Sequence, residues 1–525
     1  MITLTLSMSN TKSDIKITDI LAFDMNIKKN CHTAVHITGV IAEDIGEAVI
    51  FQQLEQSTIT ISETKNDETS SIFCGLVDVA ELYQEGKRYI ISIEGVAFTQ
   101  QLDYKKKCRS FQNTEMTYRE LVNQVIADTE HADVLFCAED GRIGYPIYQY
   151  EETDWEFLKR IASQLETSLV SVAENPSPQL FIGLPKGLNR KKVEYKTEKI
   201  WFDKTFYQLD QGKKRYRKQQ FLCHDICSFE KWKVGERIAL SDGQIMAVLS
   251  IQCSLERSLL TYRYTLALPE VFATATYENP KLAGVSLSGT VLAVDQESVR
   301  VWLNIDKEAS AAAFWYDWIP ETGNVMYCMP EIGECVSITF DDELGNARAG
   351  NCIRKNGTGH VEMQDSTKRY FTTAENKRLY ILPECLGFVD LKQSIPLKIE
   401  LNDIKGTSIE SNRDITIMAK EGIWLEGDRI SFLAPQEISL IKRDILEPTV
   451  LNMCNGFDSI GKYGEVKTAG TNRTGFPILG SSETEEYDIG GAEAAIMGST
   501  PCKAGNTELE KYVIGSQVQQ VFSDK

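Results

Sequence analysis

The sequence predicts a mainly β fold: strand-rich domains, two inserted helices and a repeat rod towards the end of the chain. Three observations predict it. Apolar and polar residues alternate through 57–62, 71–79 and 88–96. Two T-x-x-E signals, at Thr117/Glu120 and Thr153/Glu156, each open an apolar stripe of helical period. Between Leu397 and Lys442 an apolar-polar-apolar unit recurs every seven or eight residues.

From Met1 to about Gln101 strand follows strand, separated by polar turns such as Asn66-Asp67 and Glu85-Gly86, which reads as a barrel-like β domain. The first helix carries Leu121, Val122, Val125 and Ile126 on one face, and the second carries Trp155, Leu158, Ile161, Ala162 and Leu165. Each should lie flat on a sheet. Beyond Pro176 and Pro178 strands resume to about Leu268, interrupted by a basic run, Lys213 to Lys218, that reads as a solvated loop. A compact β segment follows from Leu282 to about Lys355, then the repeats to Arg443. The remainder, from Glu447 to Lys525, is rich in Gly, Ser, Thr and Asn and has almost no periodicity, so it is either an ordered coat or a flexible extension.

The repeat pairs are Ile399/Leu401, Ile415/Ile417, Ile423/Leu425, Ile430/Phe432 and Ile438/Leu440. Strands this short turn one face in and one face out, and one chain supplies too few of them to enclose a core. Their apolar face must be buried by stacking or by other chains.

With 525 residues the chain has room for several domains. Its 56 basic and 75 acidic residues leave a net charge of -19, which argues against a large nucleic-acid or anionic-membrane surface. Thirteen cysteines without a regular spacing, several in strand-like contexts such as Phe73-Cys74-Gly75, read as free thiols of a reducing compartment. The start, Met1 to Leu6, alternates like a strand and lacks the basic and long apolar blocks of a signal peptide.

Several stretches, taken together, resemble one family. Phe73-Cys74-Gly75-Leu76-Val77, Arg109-Ser110-Phe111-Gln112 and the run Tyr150 to Leu158 are similar to the hub of VgrG proteins, the spikes of contractile injection systems, and to phage baseplate hubs. Val299 to Leu303, Trp318-Ile319-Pro320 and Met329 to Phe340 resemble that family's oligonucleotide/oligosaccharide-binding (OB) barrel. The family commonly has a basic residue where Glu331 stands and a small Ala-Gly step missing here after Pro320, which sets loop detail apart. The resemblance implies tandem hub β-barrels at 1–105 and 176–280, a helical insertion at 106–175, an OB-fold neck at 281–356, a trimeric β-prism or β-helix needle at 357–446 and an extension at 447–525. It also implies a homotrimer with Ile399, Leu401, Ile415, Ile417, Ile423, Leu425, Ile430, Phe432, Ile438 and Leu440 on the needle axis, and Thr416, Trp424, Ser431 and Ser439 outside. The partners it implies are an inner tube protein, baseplate components and a PAAR-like tip protein or effector. Assembly in the bacterial cytoplasm and export with the apparatus would follow.

Trp302, Trp315, Tyr316 and Trp318 are a candidate stacking platform for nucleic acid or sugar, but the surrounding acids, Asp306, Asp317, Glu331 and Glu334 among them, would repel phosphate, which favours a subunit interface. Cys31/His32/His36 and Cys223/His224/Cys227 have ligand types that suit zinc, yet neither has a second pair at the usual spacing, and no metal or other cofactor is expected. The last histidine is His360, so an iron-capped tip of histidines is not expected either. After Glu447, Ser481, Ser482, Cys454 and Cys502 have no histidine to act as a base. The expectation is a non-enzymatic spike, with an effector-carrying spike as the alternative.

Overall fold

The computed structural model describes residues 3–9, 17–41, 58–65, 68–86, 88–190, 193–212, 215–241, 243–257, 259–308, 312–322, 328–354, 361–392 and 397–434, together with the short strands 439–442, 449–452, 459–460 and 466–467. The chain divides into two compact units, Met1–His360 and Val361–Lys525. The Asn66-Asp67 turn, Lys213-Lys214, Ile438 and nearly all of the extension lie outside the described residues.

In the first unit, β1 (Thr3–Ser9), β2 (Ile17–Ile27), β3 (Ala34–Ile41), β4 (Thr58–Lys65), β5 (Glu68–Glu85) and β6 (Arg88–Ala97) form half of a 12-stranded sheet. The alternation that marks them is what buries one face: β3 turns Val35, Ile37 and Ile41 inward, and β6 turns Ile91 and Ile93 inward beside them. An insertion follows. It comprises β7 (Lys106–Phe111), α1 (Tyr118–Ile126), β8 (Asp133–Phe136), β9 (Ile147–Thr153), α2 (Asp154–Gln164), β10 (Leu169–Val172) and β11 (Gln179–Ile182). Both helices begin at the capping boxes read from the sequence. Thr117 Oγ1 accepts from Glu120 N while Glu120 Oε2 accepts from Thr117 N, and Thr153 and Glu156 exchange the same two bonds. Their apolar stripes share one core with Phe111, Phe136, Leu169 and Ile182.

The large sheet is then completed by β12 (Asn189–Arg190), β13 (Lys196–Phe202), β14 (Leu222–Ser228), β15 (Arg237–Ala239), β16 (Ile245–Glu256) and β17 (Leu259–Ala267). Its main path runs β1-β4-β5-β6-β3-β2-β16-β17-β14-β13. The segments expected as tandem barrels share one hydrogen-bonded sheet, because Asp24 to Ile27 of β2 ladder onto Ser254 to Ile251 of β16. Phe23, Phe73, Trp232, Val248 and Tyr264 lie in the core that the two halves share.

A five-stranded antiparallel sheet ends this unit, made of β18 (Ser286–Asp295), β19 (Ser298–Leu303), β20 (Trp315–Asp317), β21 (Cys335–Phe340) and β22 (Ala347–Ile353) in the order β20-β19-β18-β21-β22. Val299, Val301 and Leu303 of β19 and Val336, Ile338 and Phe340 of β21 supply its core, the faces expected from their alternation.

The second unit holds a five-stranded antiparallel meander of β23 (Arg369–Thr372), β24 (Lys377–Leu382), β25 (Cys385–Asp390), β26 (Lys398–Asn402) and β27 (Gly406–Glu410), paired in chain order. Ile399 and Leu401, the first of the repeat pairs, belong to this meander. Residues 411–434 form no strand in the single chain, and Leu440 lies in a strand, Ser439–Lys442, that pairs with Thr449–Asn452.

Candidate functional site

The β7–β9 hairpin is a two-sided connector. Ser110 and Tyr148 face each other across its ladder, as do their neighbours Arg109 and Gln149, and alternation sends the two pairs to opposite faces. The Ser110/Tyr148 face grips the small sheet. Ser110 donates to Asp306 from its backbone N–H (2.7 Å) and its hydroxyl (2.5 Å), while Phe314 N donates to Gln112 Oε1 at 2.9 Å. Tyr148 and Tyr316, 2% and 1% exposed, join their hydroxyls at 2.9 Å. The Tyr148 ring stands edge-on to Phe340 with centroids 4.6 Å apart, so a hairpin residue completes the small sheet's core. Asn279 Nδ2 and Lys281 Nζ add bonds to the Tyr150 and Glu151 carbonyls, each at 2.8 Å.

The other face holds α2. Asp154 at its first turn is 2% exposed and receives Arg109 at 2.6 Å, Lys107 at 2.7 Å and Gln149 Nε2 at 3.0 Å. Three donors and the helix dipole make a buried carboxylate tolerable there. Arg160, buried on α2, forms a two-point pair with Glu152 (2.9 and 2.7 Å) and donates to the Tyr148 carbonyl at 2.6 Å. Burial raises the Asp306 carboxyl above its ordinary value, and the hydrogen bonds from Ser110 oppose that rise.

The four aromatic residues considered as a stacking platform do not share one open face. Tyr316 is buried, its neighbour Trp315 stacks under Arg300 at 5.1 Å, and Trp318 Nε1 is tied to the Cys328 carbonyl at 2.8 Å. The cysteine-histidine clusters are used elsewhere. The His32 ring lies 4.1 Å from that of Trp155, with Nδ1 2.8 Å from Thr99 Oγ1 and Nε2 3.6 Å from Asp103, and burial pulls its pKa down. His36 Nε2 meets Ser92 Oγ at 3.0 Å. Cys223 is buried in an aromatic cluster, which pushes its thiol up to about 12, and burial also raises Cys227. Among the described residues no three His, Cys, Asp or Glu side chains are grouped to hold a metal ion.

The meander of the second unit carries the remaining candidate surface. Its registers pair Phe371 with Leu379, Leu379 with Phe388, Phe388 with Ile399 and Ile399 with Ile409, while Ile381, Leu386 and Leu401 align beside them. These side chains share one face, and most of them are exposed, Phe388 by 55% and Ile399 by 46%. The opposite face is the better covered one. There Tyr380 donates to Glu400 at 2.6 Å, Lys398 pairs with Glu400 at 2.8 Å, and the Tyr380 ring covers Gly387, where a Cβ would meet its hydroxyl at 2.4 Å. Beyond the meander Ile415, Ile417, Ile423, Leu425, Ile430 and Phe432 are all exposed.

No family model and no curated protein matches the chain. Solved structures do. The Francisella PdpA-VgrG complex in its half-lidded form aligns over 78% of this chain and 88% of the matched one, with a TM-score of 0.50 and 9% identity. The fold is VgrG-like. The E. coli c3393 protein, described as a type VI secretion component similar in structure to T4 bacteriophage tail proteins gp27 and gp5, covers 66% of this chain and 99% of its own at 14% identity and a TM-score of 0.48. A tail protein from Neisseria meningitidis MC58 covers 52% of this chain and 98% of its own at 10% identity and a TM-score of 0.38.

On this VgrG-like fold, Asp154, which the sequence marks only as part of a helix cap from Thr153 to Glu156, is the hub of the hairpin's charge network. A signal was available: an acid at the first helical position with Lys107 and Arg109 spaced two apart in a strand. The Ser110–Asp306 and Tyr148–Tyr316 contacts had none, since their partners lie 196 and 168 residues apart.

Proposed function

We propose that the chain is a non-enzymatic spike and hub of a contractile injection apparatus, acting as a homotrimer. In this reading the large sheet supplies tandem hub barrels that meet an inner tube and baseplate, and the small sheet is an OB-fold neck. The second unit is the base of the needle, and the chain is assembled in the bacterial cytoplasm and exported with the apparatus. The observation that carries the reading is the inverted meander on a VgrG-like fold: a sheet that covers its polar face and exposes Phe388, Ile399, Leu401 and Ile409 needs further apolar surface to cover it. Three copies related by a common axis would provide it, and would also bury the exposed pairs from Ile415 to Phe432. Each such side chain removed from water is worth about 1.5–3 kcal/mol, so a rung of six yields a gain no monomer has. Thrust would then pass from the hub through the hairpin joint into a needle that works mechanically, without catalysis.

The test is the mass of the purified chain by light scattering, with single substitutions on either face. Ile417→Asp or Leu425→Asp should give monomers, since a carboxylate from each chain would meet on a dry axis, while Thr416→Asp should remain a trimer. A stable monomer of the unaltered chain at micromolar concentration, or equal effects on both faces, would refute the reading. A second reading, an effector-carrying spike, draws support from the Francisella relative's being found in complex with PdpA. Here a PAAR-like tip protein or effector would dock at the 447–525 extension. Removing that extension should then abolish co-purification of the cargo and leave the trimer intact.

A further inference from the structure

The turn between β2 and β3, residues 28–33, reaches from the large sheet to both α2 and β10. Asn30 exchanges two bonds with Leu169 of β10. Its backbone N–H donates to the Leu169 carbonyl at 2.9 Å, and the Leu169 N–H donates to Asn30 Oδ1 at 2.8 Å. Thr33 Oγ1 donates to the Ser171 carbonyl at 3.3 Å. Between these two residues, His32 lays its ring against Trp155 of α2, with centroids 4.1 Å apart. The middle of the contact is thus an imidazole, the side chain that changes charge closest to neutral pH.

His32 Nδ1 lies 2.8 Å from Thr99 Oγ1, which lies 2.9 Å from Ser171 Oγ, and both hydroxyls are buried. Neither has a further partner among the described residues. Two contacts in a row use two protons. The neutral ring meets that count when its own proton sits on Nε2, which is buried, makes no hydrogen bond and faces Asp103 Oδ2 at 3.6 Å. Ser171 then donates to Thr99, and Thr99 to Nδ1. A second proton on the ring makes Nδ1 a donor as well. Three protons then share the two contacts, and one buried hydroxyl is left without an acceptor. The charged groups around the ring pull in opposite directions. Asp103, at the end of the 3₁₀ turn Phe98–Asp103 and itself an acceptor from Thr153 Oγ1, favours the added proton, whereas Lys159 of α2 opposes it. Leu169–Val172 brings no charge. On the turn itself Lys28 is exposed, and Lys29 Nζ is committed to the Val271 and Ala273 carbonyls at 2.7 and 3.1 Å. We infer that the β2–β3 turn is an acid-sensitive clasp, which loosens its hold on β10 when His32 takes up a proton.

Burial holds His32 below the ordinary histidine value of 6.5, so on acidification the opened form takes the proton first. The clasp's stability is therefore complete above that value and is lost as pH falls through the folded one. Hydrogen exchange of the full chain between about pH 5 and 8, corrected for the intrinsic pH dependence of amide exchange, reads this at Asn30 and Leu169, whose amides both donate across the clasp. Protection there should fall roughly 5- to 150-fold towards the acid end, the range set by one orphaned buried hydroxyl. His32→Gln should abolish the response, and His131→Gln, at an exposed ring, should leave it intact. Asp103→Asn should move the midpoint to lower pH and Lys159→Met to higher pH, shifts that a merely structural role for either side chain does not produce. Exchange at Asn30 and Leu169 that is independent of pH would overturn the assignment. So would a response that survives in His32→Gln, or a midpoint indifferent to both changes of charge.

Discussion

Tyr316→Phe isolates the hairpin joint. The two hydroxyls are 2.9 Å apart, each ring is at most 2% exposed, and burial raises both groups above the ordinary tyrosine value. Removing one oxygen leaves the Tyr148 hydroxyl in an apolar site without its partner. Such an orphaned group costs about 1–3 kcal/mol, whereas removing both partners of a buried pair is nearly neutral. The cycle of Tyr316→Phe, Tyr148→Phe and the double variant should therefore be strongly non-additive, with each single change costing more than both together. Global unfolding of so large a chain is a poor readout, because its units need not melt together. Hydrogen exchange across 110–112 and 314–316 reads the joint directly, since the Ser110 and Phe314 amides both donate across it. Local opening eased by about 1–3 kcal/mol means exchange roughly 5- to 150-fold faster in each single variant and close to the original rate in the double. Single variants that exchange at the original rate, or a double variant slower to protect than either, would refute the reasoning.

Asp306→Asn should change how stability depends on pH. Because burial raises this carboxyl when folded, the folded chain keeps a proton that the unfolded chain releases near 3.8, so the group's contribution falls as pH rises through the window above that value. Asparagine does not titrate, so the variant should gain on the original protein across that window and hold a constant difference above it; a difference independent of pH would contradict this. Thr153→Ala should cost about 1–2 kcal/mol, the upper part of the cap range, because the hydroxyl that accepts from Glu156 N also donates to Asp103. Hydrogen exchange of the α2 amides measures it, and a loss of protection equal to that of the α1 amides in Thr117→Ala would show that the Asp103 bond contributes nothing.

What the sequence revealed was whatever is encoded within a few residues. Both capping boxes need only positions i and i+3, and the alternation of Val299, Val301 and Leu303 needs only one strand. Pairing is different. Nothing local says that Asp24 to Ile27 join Ser254 to Ile251, so the one sheet that the two strand-rich segments share is not legible in either of them. The aromatic segment shows the same limit at finer scale, because Trp315 and Tyr316 are neighbours on opposite faces, and only burial tells the stacked one from the clasped one. The repeat begins at Leu397, but its face extends back to Phe371, where short strands, turns and Gly387 break the pattern that marks it.

The hairpin binds Asp306 beside the small sheet on one face and α2 on the other. A strand pair can hold a partner on each face only if its register is locked, since a slip of β9 by one residue would turn Tyr148 away from the small sheet and Gln149 away from α2. The lock is a bulge. The ladder jumps from Lys107↔Glu152 to Cys108↔Tyr150, leaving Glu151 unpaired at φ 48, a left-handed conformation that a glutamate adopts only under constraint. The extra residue places Glu152 on the same side as Gln149, and there Arg160 seizes it. The carbonyl of Glu151 accepts from Lys281, which precedes the first strand of the small sheet. One strained residue therefore fixes the register, orients the buried ion pair and ties down the approach to the next domain.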